Sequence, residues 1–557
     1  MRRLRLGYIL DDIEQEQVVY DFLRQSAAAM HYSVELLIVQ RPSAPASDRE
    51  PATPPGAASG HPRRSRLERA VVRWIERTET AIALRDPTLA NWLQRHAVAT
   101  LDIEKRYVAV TPSVNADTRT YADTDLHAIR SHHLDLLIHG GSGRLAADVL
   151  SCARLGAVAL CYPTERCHDD RPAGFWEVYR RVPSTGFGLR RLSPDDGNDE
   201  LLFRGEAATA RRWIPNRLRQ KLKAFSLLHL ALDQIAATGQ LPPVLPMGTR
   251  DRASIPLPSL AHQCGYLAKI AHGHLRHRWH RLTRSSTRWG VAYQFVPDWR
   301  DANLRECVEI ANPPNHFLAD PFVIRHEGRH VCYVEDYDYG RGKGTISAYQ
   351  IERDGYTPLG NALDERFHLS YPFLFRDGGE LYMCPETHEA KEIRLYKCTG
   401  FPLQWRLHRV LMNGVDATDT NIFKWNDRWW LLTNIESCRL GDHSSELYLF
   451  HSDRCDSTQW TPHPQNPVLF DSRRARNGGL LFGNDAIYRV FQSHGFDRYG
   501  AAMGIARITE LNPSCYREEI LWTIPPTFRP DIEGTHTYSY ADGLLAVDFL
   551  RRQRNPR

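Results

Sequence analysis

The 557-residue sequence predicts two folds in one chain, an α/β Rossmann-like domain followed by an all-β five-bladed propeller. Three observations lead to this prediction. In the first part of the chain, apolar strand-like segments alternate with helical periodicity, as in a parallel α/β unit. After Trp289 the helical periodicity gives way to short strands separated by Gly, Asp and Asn turns. In that second region one strand–turn–strand unit recurs at the spacing of propeller blades.

Composition limits the classes of protein to consider. Hydrophobic residues make up 42% of the sequence, enough to fill more than one packed core. The net charge of +5 is too small to indicate nucleic-acid binding. The 11 cysteines are irregularly spaced and form no CxxC pair, so we expect neither a disulfide framework nor a zinc ribbon. Without a long apolar run or a signal-peptide core, the sequence predicts a soluble, cytoplasmic protein.

The first domain is predicted to span residues 1–212. It opens with the strand, helix and second strand LRLGYIL, EQVVYDFLRQSAAAM and SVELLIVQ. A Pro-, Ala- and Ser-rich stretch at 41–66 cannot bury a core, and we expect it to be a disordered insertion. Further strand signals, RYVAVTP, LDLLIHG and AVALCYP, continue the α/β pattern after the insertion.

Residues 213–288 are predicted to form a helical, basic connector. A long helical pattern is followed by a Pro-rich patch and then by the Arg- and His-rich stretch AHGHLRHRWHRLTRSSTR. The simpler interpretation of that stretch is a solvated helix. The functional alternative is contact with an anionic membrane surface or a polyanionic ligand. The alternative would place the protein peripherally at the inner face of a membrane.

The propeller is predicted over residues 289–550 from an internal repeat. Three 16-residue copies, DPFVIRHEGRHVCYVE, YPFLFRDGGELYMCPE and DTNIFKWNDRWWLLTN, begin at Asp320, Tyr371 and Asp419. Weaker copies begin at Gly478 and His536, so successive starts lie 51, 48, 59 and 58 residues apart. Four short strands with their turns need roughly 40–50 residues, which fits one blade per copy. A β-sandwich of hairpins is the alternative, but it does not require the same residue class at one point of every hairpin.

The repeat also predicts a site. The first strand of each blade lines the channel of a propeller, so the five starting residues should ring one mouth of it. Asp320 and Asp419 stand out, because an acid in a buried strand is costly unless it is paired, hydrated or used. The alternative for each is a turn-forming Asp that caps backbone N–H groups. Glu335 and Glu386 share a second repeat position. Paired carboxylates facing a sugar are the groups that glycoside hydrolysis requires.

The blade starts ADPF, SYPF, DTNIF, GGLLF and GTHTYSY resemble those of five-bladed propellers of glycoside hydrolase family 43. The resemblance implies that Asp320 is a general base and that Asp419 tunes the acid and holds the substrate. The family's fourth-blade acid has no counterpart, because Asn477 and Gly478 occupy its place. A leaving group would then depart without a donated proton, which suits a nucleoside diphosphate better than an ordinary glycoside.

A closer resemblance, carried by HLSYPF, YMCPET, DTNIFKWNDRWWLL and NGGLLF, is to the propeller of glucosamine inositolphosphorylceramide transferase-like proteins. It implies sugar transfer in cell-surface glycan or polysaccharide assembly. An activated sugar nucleotide would be the co-substrate, and a glycan or lipid-linked molecule the acceptor. Three alternatives stay open: a propeller-type glycoside hydrolase, a non-catalytic glycan-binding scaffold, and a formyltransferase acting on an amino sugar.

Under the transfer hypothesis Asp320 deprotonates the acceptor hydroxyl and Asp419 binds sugar hydroxyls. Glu386 is the third candidate catalytic residue, as the acid of the hydrolase alternative. Arg473, Arg474 and Arg476 are predicted to clamp the diphosphate of the donor. No metal ion is predicted. The complete set of predicted substrate-binding residues is Glu335, Tyr371, Arg473, Arg476, Asn477 and His536.

The first domain has a resemblance of its own, to the formyltransferase fold. It is carried by LDLLIHGGSGRLAADVLSCARLGAVALCYP and RPAGFWEVYRRVPSTGFGLRRLSPDDGNDELL. The family's catalytic Asn, His and Asp fall on Ala159, Cys161 and Asp195. Only Asp195 keeps its type, and neither Ala nor Cys supplies the lost groups. The resemblance therefore implies a degenerate domain that binds, docks or is vestigial.

Overall fold

The computed structural model describes residues 3–41, 66–101, 107–115, 118–162, 173–195, 198–246, 258–282, 285–438, 440–483 and 485–554. The predicted insertion at 41–66 lies outside these residues except at its two ends. None of the described helices is both long enough and apolar enough to cross a bilayer. The chain divides into two compact units. The first comprises 1–181, 185–205 and 210–271, and the second comprises 182–184, 206–209 and 272–557.

The first unit is built on a seven-stranded sheet flanked by helices, so the α/β prediction is confirmed. Leu4–Leu10 lies inside the sheet and pairs in parallel with Tyr32–Gln40 and with the central strand Leu136–His139. Across the sheet the strands are Glu200–Ala208, Ser184–Arg191, Ala157–Cys161, Leu136–His139, Leu4–Leu10, Tyr32–Gln40 and Tyr107–Val110. Shorter strands are Glu14–Glu16 with Arg95–Ala97, and Ser113–Asn115, Thr118–Thr120 and Arg144–Leu145. The α-helices of the described chain are Gln17–Ala28, Arg66–Ala83, Pro87–Trp92, Asp123–Arg130, Ala147–Leu150, Phe175–Arg180, Trp213–Thr238 and Leu260–Leu282.

Helix Trp213–Thr238 packs into this unit. It contacts the helices Gln17–Ala28 and Arg66–Ala83 and the strands Tyr32–Gln40 and Ala157–Cys161. Its apolar side chains, among them those of Leu218, Leu228 and Ile235, are buried on these partners. The structure therefore differs from the predicted connector at 213–288, because burial of the helix fixes its first part within the first unit.

The second unit consists of five antiparallel sheets. The first strand of each blade contacts the first strand of the next blade, and that of blade five contacts that of blade one. The five first strands therefore form a closed ring. This arrangement is a five-bladed propeller, and each predicted repeat copy forms the first two strands of one blade. Blade one consists of His316–His326, Arg329–Asp338, Lys343–Glu352 and Gly355–Leu363, and blade two of Ser370–Asp377, Glu380–Glu386, Glu392–Gly400 and Gln404–Asn413. Blade three consists of Ala417–Trp425, Arg428–Ile435, Glu446–Ser452 and Thr461–Pro462, and Leu469–Phe470 also pairs with its third strand. Blade four consists of Asn477–Phe482, Ile487–Gly495, Arg498–Asn512 and Cys515–Ile524.

The fifth blade closes the ring with strands from both ends of the unit. Ser285–Phe295 pairs antiparallel with Leu544–Arg554 along its whole length. The remaining strands of this sheet are Tyr538–Ala541, Val308–Ile310 and Ile532–Gly534. The propeller strands thus begin four residues before, and end four residues after, the predicted limits of 289 and 550.

A β-bulge recurs in the first strands of the blades. In blade one, Ala319 pairs with Glu335 and the next pair is Phe322 with Tyr333, so the register slips between them. Blades two and three slip at the equivalent point. The residues at the bulges have left-handed backbone, with φ of 48° at Asp320, 47° at Tyr371 and 49° at Asp419. Such φ values are uncommon for residues other than glycine, and bulges redirect side chains out of the regular pleat.

Candidate active site

The channel of the propeller receives side chains from two places in each blade. One is the bulge of the first strand, which carries Asp320 and Asp419. The other is a position in the second strand that, in blades one to three, pairs with the residue just before the bulge. The residues at this second position, one from each blade, are Glu335, Glu386, Asn434, Gln492 and Asp548. The sequence predicted the first two of these five.

Asp320 forms a buried chain with residues of the fifth blade. Its Oδ1 accepts a hydrogen bond of 2.8 Å from Oγ1 of Thr537. The same oxygen lies 3.4 Å from Nε2 of His536. On the other side of the ring, Nδ1 of His536 contacts Oδ2 of Asp548. Burial and the Asp548 carboxylate raise the pKa of Asp320, whereas His536 and Thr537 lower it, and the net shift is upward.

Among the described residues, one group of acidic and histidine side chains lies close enough together to share an ion. It consists of Asp320, His536 and Asp548. Their facing atoms already contact one another, as the distances above show. Two backbone N–H groups, those of His536 and Thr537, donate to Oδ1 of Asp548 at 2.8 Å and 3.1 Å. The contacts describe a proton-sharing arrangement, and we assign no metal ion to it.

Asp419 is paired with a guanidinium. Nε of Arg476 donates to Oδ2 of Asp419 at 2.6 Å, and the amide of Gln492 donates to the same oxygen at 2.9 Å. Burial raises the pKa of Asp419 and outweighs Arg476, which lowers it, giving a value of about 8. Asp419 therefore exchanges its proton near neutral pH while it stays bound to a fixed cation.

Glu386 lies on the other side of Arg476 and has the opposite character. Its Oε2 is 3.6 Å from the guanidinium, and its Oε1 forms a 2.7 Å contact with Nδ1 of His388. Burial opposes its ionisation, but His388 and Arg476 outweigh burial and lower the pKa to about 2. Glu386 is thus a carboxylate at neutral pH and a poor proton donor.

Glu335 is the carboxyl group with the fewest partners at this mouth. His368 lies beside it, with Nε2 at 3.5 Å from Oε1. Burial, followed by the carboxylates Asp320 and Glu386, raises the pKa of Glu335 well above its ordinary range. A neutral carboxylic acid at this place suits a hydrogen bond to a sugar hydroxyl.

The fourth blade has no acid at its bulge, and the packing explains why. Asn477 is fully buried, and its amide donates to the carbonyl oxygens of Asp419 at 2.8 Å and Leu432 at 3.3 Å. A Cβ atom on Gly478 would lie 2.4 Å from the carbonyl oxygen of His536. Carboxylates cannot donate the two hydrogen bonds of Asn477, and Gly478 has no room for a side chain.

Arg489 anchors the segment that presents Arg476. Its side chain is completely buried and pairs with Glu518 at 2.7 Å. It also donates to the carbonyl oxygen of Arg474 at 2.8 Å and of Ala475 at 3.4 Å. The backbone just before Arg476 is therefore held by a buried ion pair inside blade four.

Two predicted substrate-binding residues have partners of their own within the protein. Tyr371 is fully buried, and its hydroxyl donates to Asn421 at 2.9 Å, which makes it part of the packing between blades two and three. Arg473 is half exposed and pairs with Asp471 instead of joining Arg476 at the channel. Arg473 lies on a short solvated turn and pairs with the acid two residues away. Its closeness to Arg476 in sequence therefore does not bring the two side chains together.

In the first unit, the positions aligned with formyltransferase catalytic residues do not converge on polar chemistry. Ala159 and Cys161 are buried in strand Ala157–Cys161, and Asp195 is exposed on a turn. Within the described residues of the first unit, the structure shows an α/β fold and no arrangement that specifies formyl transfer.

Several functional residues were missed from the sequence. Asp548 had a usable signal, since it is an acid in the second strand of the fifth repeat copy, as Glu335 and Glu386 are in theirs. Trp289 had none: its ring stacks on His536 at 4.1 Å and 26°, but it comes from the strand that closes the ring. Tyr499, whose ring lies 5.0 Å from the Arg476 guanidinium, comes from a third strand that the repeat did not cover.

Comparison with known proteins bears on the propeller. Residues 285–529 match the family model described as glucosamine inositolphosphorylceramide transferase 1, N-terminal, which confirms the resemblance predicted from the blade motifs. The transferase of that name from Arabidopsis thaliana is 34% identical over 219 residues, covering 38% of this chain and 28% of that protein. The protein from Oryza sativa subsp. japonica is 33% identical over 210 residues, with coverage of 37% and 28%. The chain therefore spans less than a third of the length of these relatives.

Two glycosidases are among the solved structures that match part of this chain. An α-L-arabinanase from Cellvibrio cellulosa is 13% identical, with 36% of this chain and 77% of that chain covered and a TM-score of 0.29. The β-fructofuranosidase BmSUC1 of Bombyx mori is 12% identical, with 52% and 63% covered and a TM-score of 0.33.

Proposed function

We propose that the propeller is a carbohydrate-active enzyme that transfers a sugar from an activated donor to a hydroxyl acceptor at the channel mouth. The observation that carries the proposal is the placement of Asp320 and Asp419 at equivalent bulges of blades one and three, opposite a fourth blade that cannot hold an acid. The carboxylates suit a base and a sugar ligand. The missing acid suits a leaving group that needs no proton.

The relatives support the class of reaction. Their name joins glucosamine, a sugar, to inositolphosphorylceramide, a lipid carrying an inositol phosphate. We extend from that name the transfer of a sugar to a glycan or lipid-linked acceptor, as in cell-surface glycan assembly.

In the proposed reaction the acceptor hydroxyl gives its proton to Asp320 while its oxygen forms a bond to the anomeric carbon of the donor. The bond from that carbon to the diphosphate oxygen breaks, and the diphosphate keeps the electron pair. Asp419 and Glu335 bind sugar hydroxyls. Arg476, held between Asp419 and Glu386, is the cation nearest the leaving group.

The hydrolase alternative is weaker because its candidate acid is Glu386. A carboxylate with a pKa of about 2 transfers no proton to a leaving alkoxide at neutral pH. The scaffold alternative predicts binding without turnover and is separated by the test below. A formyltransferase-like fold for the first unit remains a proposal, supported by the central parallel strands of its sheet, and we propose ligand binding in place of formyl transfer there.

The direct test is thermal unfolding of the full chain with a panel of sugar nucleotides, followed by a product assay with the nucleotide that binds. A ligand at 100 times its Kd adds about 2.7 kcal/mol of stability. Stabilisation by one sugar nucleotide and release of its nucleoside diphosphate with a lipid-linked acceptor would support transfer. Stabilisation by free oligosaccharides alone would overturn it in favour of hydrolysis or simple binding.

A membrane-surface contact through helix Leu260–Leu282 is part of the proposal. Leu275 and Trp279 are 66% and 65% exposed on this helix, with Arg276 and Arg278 exposed beside them. Exposed apolar side chains flanked by cations fit the interface of an anionic lipid surface. A lipid-linked acceptor would be found at such a surface, and the proposed location is therefore peripheral.

A further inference from the structure

We propose that Asp548 is a positioning residue for Asp320 and acts through His536, holding the imidazole in its charged form so that Asp320 stays a carboxylate able to accept a proton. The inference rests on the proposed function, since that function makes Asp320 the base. It assigns a role to a residue that the repeat motifs and the matched family did not point out.

The first step of the argument is the environment of Asp548. Its side chain is completely buried, and it lies within strand Leu544–Arg554. One oxygen accepts the backbone N–H groups of His536 and Thr537, and the other contacts Nδ1 of His536. The carboxyl group of Asp548 therefore holds His536 through both its backbone and its ring.

The second step is the imidazole. His536 lies between two carboxylates, with Nδ1 on Asp548 and Nε2 3.4 Å from Oδ1 of Asp320. Its plane is fixed by the stacked ring of Trp289 and by the edge contact of Tyr499, whose centroid is 5.1 Å away. Burial lowers the pKa of His536, but Asp548 and Asp320 outweigh burial and raise it. The two carboxyl groups therefore make the imidazole easier to protonate, and its Nε2 faces Asp320.

The third step is the charge around Asp320. Burial and the neighbouring carboxylates Asp548 and Glu386 raise the pKa of Asp320, so it needs a cation to remain ionised. Arg476 is bound to Asp419 and Glu386. His494 adds no charge, because burial and Arg476 lower its pKa to about 3.

His536 is therefore the cation that serves Asp320. The titratable and charged groups that face His536 from the surrounding strands are Asp320, Asp419, His494, Tyr499 and Asp548. Removing the charge of Asp548 leaves the imidazole with one carboxylate in place of two, and the ring gives up its Nδ1 proton more readily. Asp320 then takes up a proton at a higher pH, because the lost attraction of the charged His536 outweighs the lost repulsion of Asp548.

The test is Asp548→Asn, which keeps the size of the side chain, with Asp542→Asn as the matched control in the turn of the same hairpin. We expect the acidic limb of the kcat pH profile to move to higher pH by one unit or more, with the donor KM unchanged. Asp542→Asn should leave the profile unchanged. An unmoved acidic limb in Asp548→Asn would overturn the proposal.

A second readout needs no turnover. Imidazole NMR of the histidine-labelled protein, with the His536 signal identified by its absence in His536→Asn, should show a doubly protonated ring in the wild type at pH 7 and a neutral ring in Asp548→Asn. If no donor is turned over, the proposed function fails and the NMR result still decides the role of Asp548. If Asp548→Asn does not fold, a neutral His536 ring in the wild type at pH 7 overturns the proposal, and a doubly protonated ring supports it.

Discussion

Asp320 and Asp419 occupy the same bulge in blades one and three, with φ of 48° and 49°, yet they meet different partners. Asp320 faces Thr537 and a histidine, whereas Asp419 faces Arg476 and Gln492. The same β-bulge thus presents the carboxyl groups of Asp320 and Asp419 to one channel. The side chains delivered by the neighbouring blades then give Asp320 a histidine partner and Asp419 a guanidinium partner.

Asp320→Asn should abolish sugar transfer while leaving ligand-induced stabilisation in place. Loss of the general base is expected to lower kcat by about 10²- to 10⁴-fold. Asp427→Asn is a suitable control, because Asp427 also has a left-handed φ, of 57°, but is exposed on a hairpin turn. Turnover by Asp320→Asn at the wild-type rate would refute its role, and so would a loss of the same size in the control.

Arg476→Gln should destabilise the propeller strongly. It leaves the buried carboxylates of Asp419 and Glu386 without their shared cation, and breaking such a pair costs about 3–5 kcal/mol. Arg473→Gln removes an exposed pair with Asp471 and should cost less than about 1 kcal/mol. Urea unfolding of both variants measures the difference, and equal losses would contradict the assignment of Arg476 to the channel.

The stability of the protein in acid should depend on Glu386. Its folded pKa of about 2 lies below its ordinary value of 4.5, so the stability it contributes is present above pH 4.5 and is lost as the pH falls toward 2. We expect the free energy of unfolding to fall less steeply between pH 5 and 3.5 in Glu386→Gln than in the wild type. Glu380→Gln, at the exposed end of the same strand, should retain the wild-type slope. Parallel slopes for the wild type and Glu386→Gln would show that the ion pairs do not form.

Gly478→Ala should destabilise blade four. The new methyl group would meet the carbonyl oxygen of His536, and crowding of this kind typically costs about 1–3 kcal/mol. Gly355→Ala is the control, since open space surrounds its added Cβ. Thermal unfolding reports both changes, and a Gly478→Ala variant as stable as the control would mean that the fourth blade does have room for a side chain.

Vesicle binding should depend on the exposed apolar residues of helix Leu260–Leu282. The double variant Leu275→Glu, Trp279→Ala is expected to reduce co-sedimentation with phosphatidylglycerol vesicles several-fold. It removes the apolar side chains that would enter the lipid, and it adds a negative charge. Leu407→Glu, on the outer strand of blade two, is a control of the same type at 41% exposure. Unchanged binding, or equal binding to neutral phosphatidylcholine vesicles, would argue against an anionic lipid surface.

The sequence predicted most of the propeller because its signals are local. A hairpin whose bulge carries Asp320, Tyr371 or Asp419 is specified by some 16 adjacent residues, and repetition reveals it. Local signals do not place the side chain of Tyr371. Packing between blades decides whether a bulge residue faces the channel or a neighbouring blade. Its ring packs on Phe322 at 4.7 Å, a contact that no single copy of the repeat encodes.

The charges of the site were beyond sequence reasoning for a related reason. Glu335 and Glu386 hold the same repeat position and read alike, but Glu386 meets Arg476 from blade four and Glu335 does not. Long-range partners therefore set opposite protonation states. Asp195 illustrates the converse, since a matching residue type in the first unit was not accompanied by matching neighbours.

The closing of the ring by Ser285–Phe295 and Leu544–Arg554 has a consequence for how the protein matures. Thr537, which binds Asp320 across 217 residues of sequence, belongs to the segment that enters the sheet with the last strand. During synthesis, blades one to four emerge from the ribosome before that strand exists. Asp320 therefore acquires Thr537 and His536 as partners only after the last strand has joined the ring.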